Sequence, residues 1–194
     1  VEEFDIFMKK VPQKVLVILD EAYFEYVEHL DDYPDSMHYR YDNVITLRTF
    51  SKAHGLAGFR VGYGFAHERL IENLNKIKLP FEPSLPAQVA ALAALDDMSF
   101  INNIIDRCHV EKKKLMEVFE NMNLEVIQSA ANFLTLVFDN EQEAASFNTA
   151  MLQLGVILRH LSGWGLPDCV RITVGTEEEN LYFLQQLSST LQTS

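Results

Sequence analysis

Short apolar runs alternate with longer amphipathic segments along the chain, which is the pattern of an α/β protein. The run Val15-Leu16-Val17-Ile18-Leu19 is apolar without interruption and predicts a strand buried on both faces of a parallel sheet. Runs at residues 44–47 and 60–66 predict the next two strands. Because Gly62 and Gly64 weaken the last of these strands, we expect its backbone to approach a neighbour closely there.

Helical spacing of apolar residues dominates the rest of the chain. It predicts helices at residues 68–78, 86–95, 98–122 and 141–154. Short apolar runs predict strands at residues 124–127, 133–138, 156–158 and 170–174. Asn140 with Glu143 and Thr176 with Glu179 have the spacing of helix-capping pairs, and Gly155 is a helix stop. We place a domain boundary near residue 96.

The charge of the chain limits its partners. The 194 residues include 28 acidic and 16 basic side chains, for a net charge of −12, which disfavours nucleic acid and anionic membranes as partners. The basic residues 112–114 are interpreted as the solvated face of the long helix. Cys108 and Cys169 have no metal-binding or redox spacing, and we expect neither a secretion signal nor a membrane span. These features favour a reduced, cytoplasmic setting.

A lysine in a glycine-containing turn is the first candidate for chemistry. Lys52 follows the apolar run at 44–47, and such an amine can act as a nucleophile toward an aldehyde when its neighbours keep it neutral. Thr49, Ser51 and Arg60 lie close by in sequence and suit a phosphate group. An amine beside a phosphate site is what pyridoxal phosphate requires. The alternative is a surface loop with two unrelated cations.

A carboxylate and a phenol end the first predicted strand. Asp20 lies where α/β sheets bind their ligands, at the carboxyl end of a strand, and it can keep a pyridine nitrogen protonated. Tyr23 can donate a hydrogen bond to a ring oxygen. The alternatives are a turn or cap residue for Asp20 and an ordinary core aromatic for Tyr23.

Together these stretches resemble the fold-type I pyridoxal-phosphate aminotransferases of class II, and within them the histidinol-phosphate aminotransferases. The resemblance rests on six segments, which are Asp20-Glu21-Ala22-Tyr23, residues 49–52, residues 55–63, Asn132-Phe133, residues 155–159 and residues 170–176. It spans nearly the whole chain, in the expected order.

The resemblance implies a fold and an assembly. Residues 1–95 are expected to be the C-terminal part of the large, cofactor-binding domain, an α/β unit with a mostly parallel sheet. Residues 96–194 are expected to form an α+β small domain. Because the chains of the family are much longer, and because this chain begins with Val1 rather than methionine, we expect a C-terminal fragment. A homodimer is also implied.

The resemblance assigns roles to nine residues. Lys52 is the catalytic lysine that holds pyridoxal 5′-phosphate, and the other cofactor residues are Asp20, Tyr23, Thr49, Ser51 and Arg60. Substrate binding falls to Arg171 for a carboxylate, Arg159 for a phosphate and Asn132 for orientation. For Arg171 the alternative is an outward-facing strand arginine, for Arg159 a surface arginine and for Asn132 a strand cap. His54 is interpreted as a packing residue rather than a proton carrier, and no metal site is expected.

The implied reaction transfers an amino group from histidinol phosphate to 2-oxoglutarate, giving imidazole acetol phosphate and glutamate, in histidine biosynthesis. Amino acids and 2-oxo acids are thus the expected small-molecule partners. An aromatic aminotransferase or a threonine-phosphate decarboxylase keeps the same cofactor residues with another substrate. The non-enzymatic alternatives are an inactive fragment and the aminotransferase-like sensor domain of a transcription regulator, which the acidic charge does not support.

Overall fold

The computed structural model describes residues 2–33 and 35–191. The chain forms two compact units, Val1–Asn103 and Ile104–Ser194. Their division lies inside the long helix that covers Met98–Asn121. The domain boundary near residue 96 therefore stays a prediction about the family's domains. The division between the two compact units falls slightly later in the sequence, after Asn103.

The first unit is built on a three-stranded sheet. Its strands are β1 (Val17–Asp20), β2 (Val44–Thr49) and β3 (Gly62–Ala66), in the order β1-β2-β3. β1 is parallel to β2, and β3 is antiparallel to β2. The helices are α1 (Glu2–Met8), α2 (Phe24–Val27), α3 (Glu68–Ile77) and α4 (Leu85–Asp96). A small apolar core joins the segment after β2 to α4 through Phe50, Val61, Ala87 and Ala91.

The prediction that residues 15–19 are buried on both faces is wrong for this chain. The side chains of Val15, Leu16 and Ile18 are 44%, 49% and 60% exposed. Within the described residues β1 pairs with β2 alone, so it is an edge strand. An edge strand lacks the neighbour on its second side that would help to cover its faces.

The close backbone approach predicted for β3 is confirmed at Gly62. This residue pairs in register with Thr49 at the end of β2. A Cβ atom at position 62 would lie 2.8 Å from the carbonyl oxygen of Arg48, which is closer than real Cβ atoms come to other atoms. Glycine therefore allows β3 to lie against the strand end that carries Thr49.

The second unit packs helices against a four-stranded sheet. The strands are β4 (Glu125–Ile127), β5 (Phe133–Val137), β6 (Arg159–His160) and β7 (Cys169–Thr173), in the order β4-β5-β7-β6 with antiparallel pairing throughout. The helices are α5 (Met98–Asn121), α6 (Glu141–Gln153) and α7 (Glu177–Leu191). The core contains fully buried side chains from helices and strands, among them Leu115, Phe119, Leu134, Met151 and Leu187.

Local capping signals in the second unit are confirmed. The Asn140 side chain accepts a hydrogen bond from the Glu143 amide over 3.0 Å, and α6 begins directly afterwards. The amide of Thr176 donates to Glu179 Oε2 over 2.8 Å, and the amide of Glu179 donates back to Thr176 Oγ1 over 3.3 Å. Gly155 follows α6 with a φ of +80°, the left-handed conformation typical of a helix stop.

The strand predicted at residues 156–158 is wrong. The amide of Val156 donates to Met151 O over 2.9 Å, so this residue still belongs to the C-terminal turn of α6. Val156 and Leu158 pack against the core, which explains their apolar character without a strand, while Ile157 is 84% exposed. Strand pairing begins only at Arg159. In the described part of the chain no helix is both long and apolar enough to cross a membrane.

Candidate active site

Lys52 and Tyr23 approach each other in the first unit. The Lys52 Nζ lies 5.0 Å from the centre of the Tyr23 ring, and both side chains are partly buried. Tyr23 directly precedes the short helix α2, whereas Lys52 lies in the turn after β2. The parallel pairing of β1 and β2 brings the two segments to the same edge of the sheet. This is the carboxyl edge, where α/β sheets bind ligands.

Asp20 is the last residue of β1 and pairs in register with Leu47 of β2. Its Oδ1 accepts a hydrogen bond from the Ala22 amide over 3.1 Å, so the carboxylate shapes the turn after the strand. The residue is exposed. Asp20 thus has the turn role that the sequence offered as an alternative, and it still presents a carboxylate at the sheet edge shared with Lys52.

The three candidate phosphate residues precede and follow Lys52 along the chain. Thr49 ends β2, and its Oγ1 accepts a hydrogen bond from the Ser51 amide over 3.1 Å. Arg60 has a φ of +53°, in the left-handed region that non-glycine residues seldom adopt. Its side chain is exposed and donates to Ala57 O over 2.9 Å. Such unusual backbone conformations cluster at functional sites, where the surrounding structure holds them.

His54 lies where the packing interpretation places it, and it has a partner that the sequence did not predict. The residue is 8% exposed, and its ring centre lies 4.8 Å from that of Phe50. Its Nε2 lies 3.3 Å from Oε1 of Glu25 in α2. The imidazole therefore helps to fix α2 against the turn that follows Lys52.

A buried arginine that sequence reasoning missed links the two strand ends. Arg48 Nη2 lies 2.9 Å from Glu21 Oε2 and 2.7 Å from Asp35 Oδ1. Glu21 follows Asp20, and Arg48 precedes Thr49, so the ion pair joins neighbours of two candidate cofactor residues. The only sequence signal is a charge inside an apolar run, which indicates a paired ion but does not name its partner.

Two arginines lie side by side in the second unit. Arg159 of β6 and Arg171 of β7 are register partners, so their side chains lie on the same face of the sheet. The guanidinium of Arg171 lies 5.1 Å from the ring centre of Phe133, and that of Arg159 lies 5.8 Å from the ring centre of Trp164. Among the described residues neither arginine forms an ion pair with a carboxylate.

The environment of Arg171 favours an anionic ligand. Its Nε is buried and has no hydrogen-bond partner among the described residues. A buried donor without a partner is costly, and two adjacent like charges add repulsion. A carboxylate or phosphate bound to this face would accept a hydrogen bond from Nε and would offset the repulsion between the two arginines. A strand arginine that water solvates would need no such anion.

Asn132 directly precedes β5 and lies next to Arg171's strand. Its carbonyl oxygen accepts a hydrogen bond from the Val174 amide over 2.9 Å, just beyond the end of β7. Asn132 is partly buried, and its neighbour Phe133 is the aromatic ring beside Arg171. The backbone thus places the Asn132 side chain at the end of the strand pair that carries Arg171.

Comparison with known families assigns the chain to a class of proteins. The family model for aminotransferases of class I and II matches residues 2–187, so the chain belongs to this family. It is 42% identical over 192 residues to histidinol-phosphate aminotransferase 2 of Carboxydothermus hydrogenoformans, covering 98% of this chain and 52% of the relative. It is 43% identical to the histidinol-phosphate aminotransferase of Halalkalibacterium halodurans, covering 98% and 51%.

A solved structure agrees with these relatives. The histidinol-phosphate aminotransferase of Sinorhizobium meliloti, in complex with pyridoxal-5′-phosphate, superposes with a TM-score of 0.87 at 26% identity. The match covers 99% of this chain and 53% of that one. The chain therefore spans about half the length of the relatives that it matches. This confirms the family resemblance.

Proposed function

We propose that the chain is part of an enzyme that transfers an amino group between histidinol phosphate and 2-oxoglutarate with the help of pyridoxal phosphate. The observation that carries this proposal is the approach of the Lys52 amine to the Tyr23 ring, at the sheet edge where Asp20 ends β1. The names of the relatives support the choice of substrate. The cytoplasm as location and a homodimer as assembly belong to the same proposal.

The residues of the first unit fit the chemical groups of pyridoxal phosphate. Lys52 offers an amine for its aldehyde, Asp20 a carboxylate for its ring nitrogen and Tyr23 a phenol for its ring oxygen. Thr49, Ser51 and Arg60 offer hydroxyls and a guanidinium for its phosphate. When bound, the cofactor supplies an electron sink for the negative charge that develops at the substrate Cα atom.

The protein's own contribution is to move one proton and to stabilise charge. We assign to the Lys52 amine the removal of the proton from Cα of the amino donor and, in the second half of the reaction, the delivery of a proton to Cα of the newly formed amino acid. Asp20 carries the negative charge that keeps a nearby ring nitrogen protonated. The contact between Lys52 and Tyr23 limits the amine's freedom, which favours a productive position for proton transfer.

The second unit is assigned to the substrate's anionic groups. Arg171, whose buried Nε has no partner within the described structure, is proposed to bind the α-carboxylate of glutamate and 2-oxoglutarate. Its register partner Arg159 is proposed to bind the phosphate of histidinol phosphate. Asn132 is proposed to orient the carboxylate. An aromatic amino acid brings no phosphate, so the second arginine favours a phosphorylated substrate over an aromatic one.

The proposal is tested in a subunit that contains these 194 residues. The protein is incubated with pyridoxal phosphate and reduced with borohydride, and the modified lysine is located by mass spectrometry. We expect the label on Lys52, its loss in Lys52→Ala, and its retention in the control Lys78→Ala, whose side chain is exposed. Histidinol phosphate with 2-oxoglutarate should then yield glutamate.

Two results would contradict the proposal. A label on another lysine, or none in a protein that still transfers amino groups, would remove Lys52 from the site. Equal turnover of phenylalanine and histidinol phosphate would leave the cofactor assignment in place but would contradict the assigned substrate.

A further inference from the structure

Lys112 of α5 binds the loop that leads into β5. Its Nζ lies 2.8 Å from Ser129 O, 3.1 Å from Ala130 O and 3.0 Å from Ala131 O. Three consecutive carbonyl groups therefore accept hydrogen bonds from one ammonium group. Because a lysine ammonium has three N–H donors, these bonds use its whole donor capacity.

The prediction that residues 112–114 form a solvated face is wrong at Lys112. The side chain is partly buried, and this burial lowers the pKa of Lys112. Its neighbour Lys113 is exposed, as predicted for all three residues. A desolvated ammonium is costly unless it is bonded, so the loop carbonyls and Lys112 stabilise each other.

The loop continues directly into the proposed substrate-binding residues. After Ala131 come Asn132, whose carbonyl oxygen accepts from the Val174 amide over 2.9 Å, and Phe133, whose ring centre lies 5.1 Å from the Arg171 guanidinium. The loop is also shaped by the Ala131 amide, which donates to Ser129 Oγ over 3.1 Å. A shift of these three residues would move Asn132 and the ring beside Arg171 together.

We propose that Lys112 is a positioning residue for carboxylate binding, acting through the backbone of residues 129–131 on Asn132 and Phe133. This inference rests on the proposed function, because it assumes that Asn132 and Arg171 receive a substrate carboxylate. Lys112 itself touches no substrate. Its role is to hold the loop in the conformation that this carboxylate requires.

The substrates themselves separate this role from a purely structural one. Glutamate and 2-oxoglutarate carry an α-carboxylate, which the proposed function assigns to Arg171 and Asn132. Histidinol phosphate carries a phosphate ester instead of this carboxylate, and its phosphate is assigned to Arg159. Loosening the loop should therefore raise KM for the two carboxylate substrates more than KM for histidinol phosphate. A general loss of folded protein would instead lower kcat for every substrate and leave the KM values unchanged.

The test compares Lys112→Met with Lys113→Met in the complete, cofactor-loaded enzyme. We expect KM for glutamate and 2-oxoglutarate to rise by about tenfold in Lys112→Met, with kcat and the KM for histidinol phosphate changed by less than about twofold. Lys113→Met should behave as the wild type. Lys112→Arg keeps a charge and several donors, so its KM values should lie between those of the wild type and Lys112→Met.

Hydrogen exchange gives a second measurement that does not depend on activity. Amides of residues 129–133 should exchange faster in Lys112→Met than in Lys113→Met, while those of α6 should be unchanged. Equal KM values for the two methionine variants would overturn the inference, and so would a parallel loss of kcat for all substrates. An inactive wild type would remove the proposed function and this inference with it, whereas an active wild type with unaltered KM values in Lys112→Met would remove this inference alone.

Discussion

Arg48 and Glu21 form a buried ion pair in which Nε and Nη2 of the guanidinium each lie 2.9 Å from Oε2 of the carboxylate. The side chains are 5% and 6% exposed. The guanidinium carbon also lies 3.3 Å from the ring centre of Phe24. Burial alone lowers the pKa of Arg48, but the hydrogen bonds to Asp35 and Glu21 outweigh it and raise this pKa above its ordinary value. The arginine is thus a charged part of the interior between β1 and β2.

We expect Arg48→Met to destabilise the first unit strongly. The substitution leaves the Glu21 carboxylate buried without its cation, and breaking a buried pair in this way lowers the free energy of unfolding by about 3 kcal/mol. Urea unfolding followed by circular dichroism measures the change. Arg69→Met, at an exposed position of α3, is the matched control and should stay within about 0.5 kcal/mol of the wild type.

The double variant Glu21→Gln/Arg48→Met measures how strongly Glu21 and Arg48 stabilise each other. Removing both charges leaves no unpaired charge at position 21, so the double variant should be less destabilised than the sum of the two single variants by about 1–3 kcal/mol. Strict additivity would show that the two side chains do not stabilise each other, whatever their distance.

The elements that sequence reasoning predicted well are those with local causes. The capping pair of Asn140 and Glu143 lies within one helical turn, and the left-handed Gly155 needs only its own backbone freedom. Asp20 was found because it ends an apolar run and Lys52 because it lies in the turn after another, and parallel pairing then brings the ends of the two strands to one edge. The identity of their roles came from the resemblance rather than from these patterns.

The features that the sequence did not predict depend on residues far apart in the chain. Lys112 looks like a solvated lysine in a basic run, and only the fold brings the carbonyl groups of residues 129–131 to it. Likewise, Arg48 finds Glu21 through strand pairing. The exposure of Ile18 has the same origin, because an apolar run does not say whether its strand is central or at an edge.

Substitutions of Arg159 and Arg171 should affect the binding of the phosphate and of the carboxylate differently. We expect Arg171→Ala to raise KM for glutamate and 2-oxoglutarate, through the loss of about 2–5 kcal/mol of binding free energy for a buried charge-assisted pair. Arg159→Ala should raise KM for histidinol phosphate by a smaller factor, because Arg159 is exposed and water screens its charge. Steady-state kinetics of both half-reactions measures these changes.

The control for both substitutions is Arg107→Ala, since Arg107 is an exposed arginine of α5 in the same unit. It should leave both KM values unchanged. Equal effects of Arg159→Ala on glutamate and on histidinol phosphate would contradict the phosphate role of Arg159, while the carboxylate role of Arg171 would be contradicted by an unchanged KM for glutamate in Arg171→Ala.

Glu111 of α5 ties the second unit together through two polar contacts. Its Oε1 accepts from Lys114 Nζ over 2.6 Å, and its Oε2 accepts from Asn180 Nδ2 of α7 over 3.0 Å. Asn180 in turn bonds both the amide and the carbonyl group of Gly175, each over 3.0 Å. The hydrogen bond from Lys114, followed by that from Asn180, holds the pKa of Glu111 below its ordinary value of 4.5.

This depressed pKa fixes the sign of a pH effect. Because the unfolded chain takes up the proton at a higher pH than the folded one, the stabilisation by Glu111 is fully present above about pH 4.5 and is lost as the pH falls through the folded pKa. Glu111→Gln should lower the free energy of unfolding at neutral pH by roughly 1 kcal/mol, a modest value because Lys114 is half exposed. Below about pH 4 the difference should narrow. Glu117→Gln, exposed on the same helix, should show no such convergence, and a constant difference for Glu111→Gln from neutral to acidic pH would contradict the role of its charge.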